Sequence, residues 1–320
     1  MSARSKAQPP RQGNYVKPVP AIAIAVLLLL GSFVRAQEAD WSRFISLGDE
    51  AMAKRQYPQA EAAYREALKV AEQHWKRDAR LAGALIKLAE ACAAESKKED
   101  AEAFANRSVA TLGEALKAHK PKNASDELEQ VEVSASLFDK AGDIFAANRK
   151  YLDAETMYRK VIAVREKYAS EKFPAKPNNE DFFRSMMQTL GDAAPKVADA
   201  NDKLADLYRS ERKIQEAMLL YQQSEVLRER RYGPDKPQTA KSLNDLAICY
   251  SLQGNYDQAE PLYKRVIDIF EHAEYKDTPQ MATTLENYAV LLKRTARDTE
   301  AKDILQKASA VRTKLATAPQ

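Results

Sequence analysis

A small alanine, flanked at helical spacing by large apolar or aromatic side chains, recurs six times along this chain. The alanines are Ala60, Ala101, Ala154, Ala217, Ala259 and Ala301, at steps of 41, 53, 63, 42 and 42 residues. A period of this size marks stacked supersecondary units, none of which can bury its apolar face alone. It constrains the fold strongly, because each unit must pack on the next in chain order.

The clearest unit is LNDLAICYSLQGNYDQAEPLYKRVIDIFE, residues 243–271. Leu246, Ala247 and Tyr250 share one helical face at steps of one and four. Gly254-Asn255 then breaks the helix, since both residues tolerate the left-handed backbone of a C-terminal cap. After Tyr256 a second helix carries Ala259, Leu262, Tyr263, Val266 and Ile267 at steps of three and four. The unit therefore reads as a helical hairpin, with Ala259 letting the two helices approach and the aromatics filling the space beside it.

The same marks recur at Leu47-Gly48 with Tyr57, Ala60 and Tyr64, and at Leu88-Ala89 with Cys92, Ala101 and Ser108. They follow at Ala141-Gly142 with Phe145, Tyr151, Ala154 and Tyr158, and at Leu204-Ala205 with Tyr208, Ala217 and Tyr221. The sixth copy is Tyr288-Ala289 with Leu292, Ala301 and Ala308, where Arg297-Asp298 stands for a Gly-Tyr turn. The second copy has Ala105 in place of the aromatic of its second helix. The step of 53 holds about 11 extra residues around Lys120-Pro121. The step of 63 holds about 21 extra, an insertion at about 172–196 between the third and fourth copies. Phe182, Phe183, Met186, Met187 and Leu190 give that insertion the pattern of a short amphipathic helix.

Leu-Gly or Leu-Ala, then an aromatic, then the alanine and a second aromatic, resembles the tetratricopeptide repeat. The phrases YGPDKPQTAKSLNDLA (232–247) and QGNYDQAEPLYKR (253–265) resemble the kinesin-light-chain subclass, whose longer helices suit a step near 42. The resemblance covers about residues 41–315. It implies an all-α fold, an α-solenoid wound as a right-handed superhelix of about six hairpins. It also implies binding of a protein or peptide in the concave groove.

Residues 1–36 stand apart from the array. They hold five basic residues (Arg4, Lys6, Arg11, Lys17 and Arg35), no acid, and an uncharged run of 14 from Ala21 to Val34. Val34-Arg35-Ala36 offers the residues a signal peptidase reads, so the segment is expected to be a signal peptide preceding a solenoid over 37–320. The protein is then exported, periplasmic or secreted. The alternative is an uncleaved anchor through residues 21–34, although spanning a bilayer takes about 20 apolar residues. Outside this leader 45 basic residues face 46 acidic ones, which removes the charge excess a nucleic-acid binder would show.

Signs of chemistry are absent from the sequence. No glycine-rich phosphate loop or Gly-x-Ser-x-Gly elbow occurs, and His74, His119 and His272 lie far apart without metal-ligand spacing. No catalytic residue, metal or cofactor is expected, and neither nucleic acid nor a small-molecule substrate. Cys92 and Cys249 occupy matching positions in the second and fifth copies and read as packed free thiols. The chain is expected to be a non-enzymatic scaffold. The alternatives are an assembly factor of the cell envelope, or an enzyme carried on the array.

Helical geometry nominates a groove. At about 100° per residue, Asp139, Asp143, Asp202, Asp206 and Arg209 turn away from the face packed on the second helix. The four aspartates are expected to form an acidic stretch. In the last two copies the equivalent stripe holds Lys241, Asn244, Ser251, Glu286, Lys293 and Arg294. The groove would change sign along its length and suit a partner segment with one basic and one acidic end.

Overall fold

The structure, a computed structural model, describes residues 21–172, 193–272 and 277–317. Among these residues the chain forms twelve helices and no strand. They are α1 (Ala21–Ala53), α2 (Tyr57–His74), α3 (Ala79–Ala94), α4 (Lys98–Ala118), α5 (Ala124–Ala147) and α6 (Tyr151–Lys172). Then follow α7 (Ala193–Ser210), α8 (Ile214–Tyr232), α9 (Pro237–Leu252), α10 (Tyr256–His272), α11 (Pro279–Arg294) and α12 (Asp298–Thr317). No helix among the described residues is long and apolar enough to cross a membrane.

The helices pair in chain order into six hairpins, and each hairpin packs on its sequence neighbours. This is an all-α solenoid. First helices also meet first helices, α3 against α5 and α9 against α11. Such contacts put the first helices on the inner side of the curve and leave the second helices outside. α6 packs directly on α7, so the third and fourth hairpins stack without a break in the array. The amphipathic stretch expected within the insertion, Phe182 to Leu190, lies outside the described residues.

The six anchor alanines are all fully buried. Each admits the facing helix closely, and in the first, third, fourth and fifth hairpins the buried rings of Tyr64, Tyr158, Tyr221 and Tyr263 fill the remaining space. Gly48 and Gly142 take this economy to its limit. A Cβ on Gly48 would lie 2.2 Å from the Tyr64 ring, and one on Gly142 would lie 2.6 Å from Tyr158. Two buried serine hydroxyls are satisfied by a repeated bond. Ser108 donates to the Ala82 carbonyl at 2.7 Å and Ser224 to the Ala198 carbonyl at 3.0 Å.

All six hairpin turns share one geometry. Arg55, Ser96, Arg149, Arg212, Gly254 and Ala296 sit at φ between 57° and 78°. The next residue in each case donates its N–H to the carbonyl five residues back, from Gln56 to Ala51 (2.8 Å) through Arg297 to Leu292 (2.9 Å). This bond closes the first helix and aims the chain into the second. Only the fifth turn uses glycine for the left-handed position, and in the sixth that position is Ala296, one residue before the expected Arg297.

Cys92 and Cys249 are free and buried, on α3 and α9, and burial pushes both thiols up to about 11. A thiol reagent at neutral pH should label both only after denaturation; a reductant-dependent increase in labelling would contradict the structure. Replacing Ala296 with glycine should raise stability by about 1 kcal/mol, because a left-handed Cβ is removed. Gly48→Ala should lower it by about 1–3 kcal/mol through overpacking on Tyr64. Urea midpoints of the two variants against the parent measure both effects.

Candidate partner-binding groove

The inner wall is built from one register of the first helices. The residue after each small packing residue (Gly48, Ala89, Gly142, Ala205, Ala247, Ala289) points toward the groove. In order these are Asp49, Glu90, Asp143, Asp206, Ile248 and Val290, four carboxylates and then two aliphatics. Two residues before the small residue stand Lys87, Lys140 and Lys203 in the second, third and fourth hairpins.

Each of these lysines reaches back to the carboxylate of the preceding hairpin. Lys87 Nζ donates to Asp49 Oδ1 at 2.6 Å, and Lys140 Nζ to Glu90 Oε2 at 2.7 Å. Lys203 Nζ donates to Asp143 Oδ2 and to both oxygens of Asp139, all at 2.8 Å. Tyrosines of the second helices add a second donor: Tyr64 to Asp49 (2.6 Å), Tyr158 to Asp143 (2.9 Å) and Tyr221 to Asp206 (2.7 Å). The second hairpin, with Ala105 in place of the aromatic, has no tyrosine to give Glu90. Partial burial disfavours the Asp49 carboxylate, and the bonds from Lys87 and Tyr64 more than offset it, so its pKa falls below the ordinary range. Burial likewise works against the Lys203 ammonium, and its bonds to Asp139 and Asp143 hold its pKa above the ordinary value.

This ladder revises the expected acidic stretch. Asp139 and Asp143 do come together, but on Lys203, whose one positive charge offsets half of theirs. Asp202 does not line the surface at all, with 3 % of its side chain exposed. It turns inward because Arg228 of α8, itself buried, donates to Asp202 Oδ2 (2.8 Å), Asp199 Oδ1 (2.6 Å) and Ser242 Oγ (2.5 Å). Lys241 also closes on Asp202 Oδ2, so its ammonium belongs to this inter-helix cluster. Asp206 is exposed, and Arg209 lies beside it at 2.6 Å.

The remaining candidates divide. Asn244 accepts from Thr284 Oγ1 at 3.2 Å and ties α9 to α11. The Ser251 hydroxyl is enclosed, so it is not presented to a partner. Glu286 takes two bonds from Arg312 of α12, at 3.0 and 2.9 Å, and is neutralised. Lys293 and Arg294 are exposed and make no ion pair among the described residues. Leu252 and Val290, 58 % and 53 % exposed, are aliphatic positions that charge-based reasoning passed over.

Asp245 was also missed. It occupies in the fifth hairpin the position of Lys87, Lys140 and Lys203. Its pKa is pushed up to about 7, chiefly by burial; Lys241 opposes the rise, Asp202 and Asp206 add to it, and Arg209 opposes it. Aligning the hairpins residue by residue would have exposed this lysine-to-aspartate change. Among the described residues no group of three His, Cys, Asp or Glu is placed to hold a metal ion.

Two family models described as tetratricopeptide repeat match the chain, at residues 45–115 and 196–272. No curated protein matches it. Among solved structures, BtubC (BKLC) from P. vanneervenii superposes with a TM-score of 0.57 at 14% identity, covering 89% of this chain and 94% of that one. A putative kinesin light chain with TPR-like repeats from Podosopora anserina gives 0.55 at 17% identity, covering 77% and 100%. PilF of Pseudomonas aeruginosa gives 0.52 at 14%, covering 88% and 94%. At these identities the likeness concerns the fold. With matches in both halves of the array, and with the hairpin geometry described above, the chain is a tetratricopeptide-repeat protein.

Proposed function

We propose that the array is a non-enzymatic scaffold that holds a segment of a partner protein along its inner wall. The observation that carries this is the far end of that wall. Leu252 and Val290 are uncovered there, beside Lys293 and Arg294, which have no charge partner among the described residues. Aliphatic side chains left in a concave surface and rimmed by free cations suit a polypeptide with apolar and acidic residues. Toward the middle of the wall the exposed Asp206 favours a basic residue of the same segment. A partner with one basic and one acidic end therefore fits, whereas a phosphate backbone would meet carboxylates.

We also propose that residues 1–36 direct export and are removed before Gln37. Their basic stretch and 14-residue uncharged run support this reading. Glu38, bonded to Arg80 at 3.1 Å, and Trp41, edge-on to Trp75 at 6.0 Å, lie beyond the cut, so processing leaves the first hairpin its ties.

Two measurements follow from these readings. Capture of partners from the exported fraction should fall about tenfold when Leu252 and Val290 are changed to aspartate and Lys293 to glutamate, with helix content unchanged. An unaltered set of captured proteins would remove the inner wall as the binding surface. Intact mass of the protein from its natural host should correspond to a chain starting at Gln37; a membrane-bound species that retains Ser2 would favour the anchor.

A further inference from the structure

The inner-wall ladder stops between the fourth and fifth hairpins, and the stop leaves a specific vacancy. One hairpin earlier, Asp139 and Asp143 converge on a single ammonium, that of Lys203. Asp202 and Asp206 are their counterparts in register, and the residue facing them is Asp245. The nearby cations are already engaged. Arg228 is bound to Asp199, Asp202 and Ser242, Lys241 to Asp202 Oδ2, and Arg209 to Asp206. Asp245 forms no ion pair among the described residues.

A second observation is independent of the acid count. Asp202 Oδ1 is buried and has no hydrogen-bond partner, although both oxygens of its counterpart Asp139 accept from Lys203. A buried carboxylate oxygen without a donor is costly, and in the preceding hairpin that cost is avoided by a cation. Asp206, 53 % exposed, puts one carboxylate of this group in contact with solvent on the groove side.

We propose that the partner supplies the missing cation: a lysine or arginine side chain enters between Asp206 and Asp245, before Asp202, and takes the place of Lys203 one hairpin earlier. This rests on the inner wall being the binding surface and names the basic residue that wall would hold. The groups facing Asp245 are Asp202, Asp206 and Arg209 from α7, Lys241 on its own helix, Tyr221 of α8 and Tyr263 of α10. A proton on Asp245 competes with the entering cation, so binding strengthens as pH rises through about 7.

The probe is a fluorescent, end-capped pentalysine, titrated by anisotropy at low salt against the full chain. Asp245→Lys, which supplies the ladder's own cation, should weaken binding about tenfold. Glu216→Lys, the same charge change on the exposed face of α8, should change it less than about twofold. Equal weakening by both variants, or none by Asp245→Lys, overturns the proposal. Should Asp245→Lys lose helix, Asp245→Asn serves instead: it should abolish the rise in affinity between pH 6 and 8, and persistence of that rise overturns the proposal. The assay needs no natural partner. Partner capture lost on changing Leu252 and Val290, together with pentalysine binding indifferent to Asp245, would keep the groove and remove this site.

Discussion

Close approach of two helices at a side chain no larger than a methyl group is the contact on which this molecule depends. With an alanine at the crossing, the first, third, fourth and fifth hairpins each seat one tyrosine beside it, and that ring fills the wedge where the helices diverge. The phenol oxygen emerges on the inner wall and donates to the carboxylate opposite, in the first, third and fourth hairpins. Packing and electrostatics are thus joined in one residue. The apolar part of the tyrosine sets the helix spacing, and its hydroxyl fixes the position of the acid that the next hairpin's lysine will find. In the fifth hairpin Tyr263 meets Ile248 in that register and packs instead near the Tyr288 ring, 6.0 Å away.

The fold was legible in the sequence because its determinants are local. Anchor alanines, flanking aromatics and the Gly254-Asn255 break each act within a few residues, and a period of about 42 repeats them until chance is implausible. The turns were legible only where glycine announced them. Ser96, Arg149 and Ala296 take the same left-handed conformation without the residue type that signals it, because the bond back to the preceding helix and the packed second helix hold them there.

The groove was less legible, since helical geometry tells which way a side chain leaves its own helix and nothing of what it meets. Asp202 leaves in the direction expected for the wall, yet buried Arg228 on the neighbouring helix draws it inside. Asp139 and Asp143 needed Lys203, 60 or more residues away in the chain, before their charge could be judged. Leu252 and Val290 carry no charge to mark them as wall residues, and only their exposure in the folded array sets them apart from the core aliphatics.

The lysine ladder has a direction, and that direction bears on how such an array can grow. Each lysine serves the carboxylate of the hairpin before it, so Lys140 and Asp143 of the third hairpin are the two halves of a joint, one facing backward and one forward. A duplicated third hairpin, inserted after itself, would bring a new Lys140 to the original Asp143 and offer a new Asp143 to Lys203. The joint is therefore self-propagating, and the chain can be lengthened there without stranding a charge. The fifth hairpin carries Asp245 where the backward half of the joint belongs, so it cannot follow any of the first four on those terms. Duplication of the second, third or fourth hairpin leaves each ladder carboxylate the lysine it had, and the junction before α9 marks where that freedom ends.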